Sequence, residues 1–362
     1  MSNKKTSPTK IAIIAIIAIL TAYLLFWPVP IDPAAYTPPE APELTGIYEP
    51  NDYLSNVESL GAGLDSTPED IAIDNNNYLF ASMANSTIVK LSPNGEDHEI
   101  FAKTDNTPLG LKFDPHGNLI VGCSESGLIS INPNGEISTL STEKGGIPFK
   151  FTNDLDISTN GTIYFTDSST KFGFDESYDE IMEHRPNGRF LAYDPNTKKT
   201  TLLIDDLHFA NGVAISPDQS FLLVCELGKY RILRYWLTGE KAGTHETFID
   251  NLPGFPDGIS SNGKGIFWVA IVSPRDKIAD TILFPRPFLR KVVTRLPQFM
   301  LPSAKNYGFI LGLDQNGNVI YNLQDPEGSF AQITNVVEHN GYLYLGSLVE
   351  SAVGRIAVPE KP

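Results

Sequence analysis

Residues 211–226 read NGVAISPDQSFLLVCE. A polar pair opens the stretch, an alternating run follows, a Ser-Pro-Asp turn interrupts it, and a second apolar run closes it. This is the pattern of two adjacent strands joined by a tight turn. The same pattern recurs as EDIAIDNNNYLFAS from Glu69, LGLKFDPHGNLIVG from Leu109 and NDLDISTNGTIYFTD from Asn153. It returns as DGISSNGKGIFWVA from Asp257 and TNVVEHNGYLYLG from Thr334. In each block the turn falls about five residues after the opening position, as period-2 hairpins allow. The openings are 40, 44, 58, 46 and 77 residues apart. Four-stranded propeller blades need about 40 to 50 residues, so the third and fifth blades carry insertions. Hairpins such as LISINPNGEISTL lie between the blocks and supply the outer strands. The expectation is an all-β, six-bladed β-propeller.

Equivalent positions in a radial repeat face the same central axis. In four of the six blocks that position carries an oxygen-bearing side chain: Glu69, Asn153, Asn211 and Asp257. Each has a bland local use, since Asn and Asp serve turns, but the shared register points to a common purpose. Two carboxylates and two amides form a hard-oxygen donor set, which suits Ca²⁺ or another divalent cation. An open position on such a metal would polarise a carbonyl, with Asp257 as general base or nucleophile. No G-x-S-x-G elbow, phosphate loop or dinucleotide fingerprint proposes a rival chemistry.

The chain has 362 residues and a net charge of −16, which argues against nucleic acid as a partner. Its two cysteines, Cys123 and Cys225, sit in apolar runs of non-neighbouring blades and are expected to be buried thiols. Residues 11–27 form an uncharged apolar run preceded by Lys4, Lys5 and Lys10. As a helix it spans roughly 26 Å, near the lower limit for crossing a bilayer. The run is long for a signal peptide and lacks a small-residue cleavage site, so an uncleaved single-pass anchor is expected. Its lysines place residues 1–10 in the cytoplasm and the propeller on the periplasmic or extracellular/lumenal side.

A proline-rich linker, expected as an extended spacer, covers residues 28–50, and the propeller occupies residues 51–362. The fifth-blade insertion, residues 273–305, holds seven Lys/Arg against two Asp in a partly helical, amphipathic pattern. It reads as a lid, and alternatively as a basic surface that rests on anionic lipid through Arg286, Arg290, Lys291 and Arg295.

With these blocks assembled, the chain resembles the gluconolactonase–paraoxonase superfamily of calcium-dependent six-bladed propellers. It is most similar to the strictosidine-synthase-like branch that includes adipocyte plasma membrane-associated protein. The stretches IYFTDSSTKF, RPNGRFLAYDP, FANGVAISPDQSFLLVCE, LPGFPDGI and VEHNGYLYLGS carry the likeness. The resemblance implies that Glu69, Asn153, Asn211 and Asp257 hold the metal and that Asp257 is catalytic. It also shows departures. Phe151 stands where gluconolactonases have a sugar-recognising Arg, and the Glu that strictosidine synthase itself places shortly ahead of the last-blade EH-x-G turn is missing, with none between Glu327 and Glu338. A paraoxonase-like histidine pair is not identifiable.

An apolar pocket containing Phe151, Phe172, His208 and Phe255 is therefore expected, with a lactone or aryl ester as substrate. The alternative is a non-catalytic propeller whose Ca²⁺ is structural and whose open face binds a protein, lipid or small ligand.

Overall fold

A computed structural model describes residues 7–360. Six four-stranded antiparallel sheets follow one another around an axis. Their innermost strands are Pro68–Ile73, Pro108–Phe113, Thr152–Ile157, Ala210–Ile215, Gly254–Ser261 and Ile333–His339. Each begins within three residues of an opening position read from the sequence. The six-bladed propeller is the architecture observed.

The ring is closed by a strand that no pattern in the sequence marks. Glu58–Leu60 precedes the first blade yet pairs with Val353–Ala357 as the outermost strand of the sixth. Arg355 clamps Glu58 at 2.7 Å across that pair. Joining the two ends of the chain in one sheet removes the open edge that a linear array of blades would leave.

Apolar side chains from adjacent blades interlock into the core. Leu223 and Cys225 of the fourth blade pack with Phe267, Val269 and Phe309 of the fifth. Trp268 and Ile310 of the fifth pack with Val336 and Leu343 of the sixth. Both cysteines are free and buried among such residues.

An N-terminal helix and two blade insertions lie outside the ring, toward the end where the innermost strands begin. Helix α1, Pro8–Phe26, is long and apolar enough to cross a membrane. Lys4 and Lys5 lie outside the described residues. The third-blade insertion carries helix α2, Ser177–Glu183, and the fifth-blade insertion carries a π-helical turn, Ala279–Leu283, followed by helix α3, Pro287–Val293.

The segment after α1 is extended, but it is not a free spacer. Ala34 N–H donates to Glu183 O at 3.0 Å, and Tyr36 N–H to Phe284 O at 3.0 Å. Ile31 is buried with Phe172, Met182 and Leu283. Proline denies this strap regular structure, yet its backbone finds partners on both insertions and ties them together.

Candidate active site

The site is built by a backbone irregularity repeated six times. In every blade the pairing between innermost and second strand shifts register at the opening position. The shifts lie between Pro68/Ile71, Pro108/Leu111, Thr152/Leu155, Ala210/Val213, Pro256/Ile259 and Ile333/Val336. A bulge breaks strict alternation and re-aims a side chain. Here it lets two consecutive residues of each blade serve the axis, so two layers are stacked there.

The upper layer holds Glu69, Asn153, Asn211 and Asp257, which share the floor of one cavity. Below them Asp70, Gly110, Asp154, Gly258 and Asn335 line the narrow space that continues down the axis. The lower layer stitches the blades together. Asp70 accepts the Leu111 N–H at 2.6 Å, and Asp154 the Val213 N–H at 2.8 Å. Asp70 also takes the Asn335 amide. Hydroxyls of the second strands complete the seams: Ser82 donates to Leu109 O at 2.6 Å and Thr166 to Asn211 O at 2.8 Å.

The upper layer is poised differently. Asn153 donates its amide hydrogen to Ser168 Oγ at 3.0 Å, and Asn211 donates to Asp257 Oδ1. Among the described residues, no donor reaches either amide oxygen. Among the described residues, no lysine, arginine or histidine pairs with Glu69 or Asp257. Burial, with Asp154 adding repulsion, pushes the Asp257 carboxyl up to about 8. Burial and the Asp257 and Asp154 charges raise Glu69 well above the carboxylate range.

In this desolvated oxygen ring the two carboxyl groups ionise only at a cost, and a divalent cation would relieve that cost. The donor set fits one. Among the described residues no three Asp, Glu, His or Cys side chains form a metal cage, so the fit depends on the two amides.

Above this floor lies a cavity of about 220 Å³ whose walls are mostly apolar, with Asp276, Lys305 and three serines among them. Phe151 stands edge-on to Phe174 and Phe209, with centroids 5.8 and 5.4 Å apart. Leu109 fills the second blade's axial position, and Phe255 adds a further wall. The roof comes from the insertions: Ile181 and Met182 of α2, and Leu283 and Phe284 from the fifth-blade lid. Asp167 positions Phe151 by accepting its N–H at 2.9 Å, while a buried ion pair with Arg189, 2.6 Å, holds Asp167.

Two residues expected in the pocket stand elsewhere. Phe172 is buried under the strap with Ile31 and Met182, and Phe174 takes the cavity position instead. His208 lies behind the wall, with Nδ1 3.2 Å from the buried Glu226 carboxylate. The chain turns sharply after it, since Phe209 has φ 57°, and Phe209 rather than His208 faces the cavity. His208 does sit beside another histidine, His184, at 4.9 Å between ring centroids, but neither ring lines the cavity.

The lid also departs from its expected basic face. Arg290 is 0% exposed and donates to the carbonyls of Met182, Glu183, Ala34 and Phe284. Arg275 is buried against Asp280 at 2.7 Å. Arg290 is therefore unavailable to lipid and instead knots strap, α2 and lid.

A profile described as strictosidine synthase matches residues 153–240, and one described as strictosidine synthase-like, N-terminal, matches residues 46–91. Adipocyte plasma membrane-associated protein of Bos taurus is 35% identical over 341 residues, 88% of this chain and 82% of that protein. The chain belongs to the strictosidine synthase-like family. Strictosidine synthase-like 10 of Arabidopsis thaliana is 40% identical over 223 residues, 59% of each chain.

Among solved structures, a gluconolactonase from Xanthomonas campestris superposes with a TM-score of 0.62 at 15% identity, covering 91% of this chain and 99% of that one. The calcium-binding protein regucalcin from Agrobacterium tumefaciens gives 0.58 at 15% identity, over 83% and 91%. These two likenesses concern the fold.

Proposed function

We propose that this strictosidine synthase-like protein is a membrane-anchored, divalent-cation-dependent hydrolase of lactones or aryl esters. The observation that carries the reading is the pairing of an uncompensated oxygen ring, Glu69, Asn153, Asn211 and Asp257, with an apolar cavity directly above it. A purely structural hub has no need of such a cavity.

Glu69 and Asp257 would hold a Ca²⁺ ion together with the free oxygens of Asn153 and Asn211. Bound there, it would supply polarisation of a substrate carbonyl. The chain's own part is orientation and proton transfer. The Asn211 amide fixes Asp257 by occupying Oδ1, which leaves Oδ2 to face the substrate. Oδ2 takes a proton from water as the water oxygen bonds to the acyl carbon. That proton then passes to the departing alkoxide or phenoxide oxygen as the ester bond breaks. Alternatively, Oδ2 bonds to the acyl carbon as the ester C–O bond breaks, and water then cleaves the resulting anhydride, one of its protons going to the released alkoxide or phenoxide. Phe151, Phe209 and Phe255 hold the apolar part of the substrate and keep bulk water off the floor.

Helix α1 is proposed to anchor the chain in a single pass, with the N-terminus cytoplasmic and the propeller on the periplasmic or extracellular/lumenal side. The test is a panel of phenyl acetate, γ- and δ-lactones and a phosphotriester, assayed with the full chain in detergent. Turnover that requires Ca²⁺ and is lost in Asp257→Ala supports the reading. A folded Asp257→Ala protein with wild-type turnover overturns the role of that residue. Calcium-dependent stabilisation with no turnover on any substrate would favour a binding propeller.

A further inference from the structure

The fifth-blade lid has apolar side chains on both of its sides. Leu283 and Phe284 point inward and roof the cavity. Ile278, Ile282, Phe288 and Met300 are exposed on the outside, and Phe299 is 87% exposed. Ile282 and Leu283 are consecutive, so one layer of side chains separates the outer surface from the cavity. A lid that only met water would carry polar residues on that outer side.

What lies against the outer side is indicated by the anchor. Arg295, two residues past α3, donates from Nε to Trp27 O at 2.6 Å and from Nη1 to Leu24 O at 3.0 Å. The Tyr23 hydroxyl donates to Arg295 O at 3.3 Å. The lid is thus joined to the last turn of α1, where a membrane-crossing helix meets the polar headgroups. Tyr23 and Trp27 pack with ring centroids 5.7 Å apart there, the aromatic pairing suited to that level. The strap allows no long excursion, because Asp32, five residues beyond Trp27, is already bonded to Arg185 and Glu183. Lys277 and Arg286 lie exposed among the apolar residues, placed for lipid phosphates.

We infer that the outer face of the lid, through Ile278, Ile282, Phe288, Phe299 and Met300, is seated in the bilayer leaflet from which the anchor emerges, and that the cavity fills from that leaflet. The substrate class narrows accordingly to lipid-soluble, long-chain esters or lactones. This narrowing rests on the hydrolase reading; the seating of the lid does not.

The experiment uses the full chain in phosphatidylcholine/phosphatidylglycerol liposomes. Cys123 and Cys225 are buried, so single cysteines introduced by Phe299→Cys, Ile282→Cys and, on a turn at the opposite end of the propeller, His116→Cys can be spin-labelled selectively. Depth is read from the relative accessibility of each label to oxygen and to a water-soluble nickel complex. The two lid labels are expected within the acyl region and the His116→Cys label in water. Lid labels as open to nickel as that control would overturn the inference.

In parallel, the double variant Ile282→Asp, Phe299→Asp is compared with wild type on γ-dodecalactone and on phenyl acetate. Turnover of the lipophilic lactone is expected to fall about tenfold, the factor matching loss of roughly one aromatic side chain's transfer energy, with phenyl acetate unaffected. An equal effect on both substrates would overturn entry from the leaflet. If wild type hydrolyses neither, the hydrolase reading fails, and the labels still decide whether the lid is seated in lipid.

Discussion

Asp154 of the third blade accepts the backbone N–H of Val213 in the fourth at 2.8 Å, one residue past Gly212. The bond spans a seam that has no ladder hydrogen bonds of its own, since each blade is a separate sheet. Gly212 keeps the next seam equally tight: a Cβ there would stand 2.5 Å from Asp257 O and Ile259 N. The propeller is therefore fastened at its hub by short side chains reaching over residues that have none.

Substitution at that seam is expected to cost stability. Asp154→Ala leaves the buried N–H groups of Val213 and Leu155 unpaired, worth about 2–4 kcal/mol together. Gly212→Ala forces backbone against backbone, which cannot relax as a flexible side chain would, and should cost about 1–3 kcal/mol or more. Denaturant unfolding of each variant measures both. A loss below about 0.5 kcal/mol, the range of ordinary surface substitutions, would remove the hub from the account of stability.

Calcium is expected to stabilise the folded chain through the upper axial layer. At a free concentration about 100 times the dissociation constant, linkage gives about 2.7 kcal/mol. Glu69→Gln and Asp257→Asn each remove a negative charge from the donor set, and both should lose most of the calcium-dependent rise in Tm. Thermal unfolding with calcium and with chelator reads this directly. A rise undiminished in both variants would place the ion elsewhere.

The repeat was legible because a strand half-buried in a blade must alternate, and the turn after it must carry Gly, Asn or Asp. The register of Glu69, Asn153, Asn211 and Asp257 followed from that alone. What alternation concealed was the bulge, because two axial residues in succession look like a single opening position followed by an ordinary strand. Asp70 and Asp154, which join the blades, were hidden for that reason. The closing strand was hidden too, since three residues, Glu58 to Leu60, carry no period.

Loops gave the least. Phe172 and Phe174 differ only in which side of an irregular turn they occupy, and the positive φ of Phe209 that sends His208 behind the wall has no signature at that residue. Arg290 was read as a surface charge because arginine is seldom buried. Four carbonyls from the strap, α2 and the lid compensate it here, a tertiary arrangement that sequence spacing does not reveal.

Arg290 supplies a third prediction. Burial lowers its guanidinium to about 10, still charged at neutral pH, and its donors hold the strap to both insertions. Arg290→Met keeps much of the side chain's bulk and removes every one of those bonds. The strap and lid are expected to become sites of rapid limited proteolysis, within residues 28–40 and 275–305, while the six blades resist. Arg286→Ala, which loses only exposed bonds to Thr281 O and Ile282 O, should digest like wild type. Equal protection of the Arg290→Met lid would mean that apolar packing alone keeps it closed.

Acid should loosen the same region, and His184 is the group responsible. It stacks on Tyr36 of the strap at 4.2 Å between centroids, and its Nε2 lies 2.7 Å from Gly228 O. Burial, with His208 alongside, lowers its imidazole from 6.5 to about 3. The folded protein therefore binds fewer protons here than the unfolded chain between those two values. Stability from this group is fully present above about pH 6.5 and is lost progressively as pH falls toward 3, to an extent on the order of a few kcal/mol. His184→Asn keeps the left-handed backbone that this position requires, φ 51°, and removes the titration. The variant is expected to start less stable at pH 7.5, having lost the stack on Tyr36, but to show a shallower fall in Tm between pH 6.5 and 4. Parallel Tm curves for the two proteins over that range would exclude His184 as the acid-sensitive group.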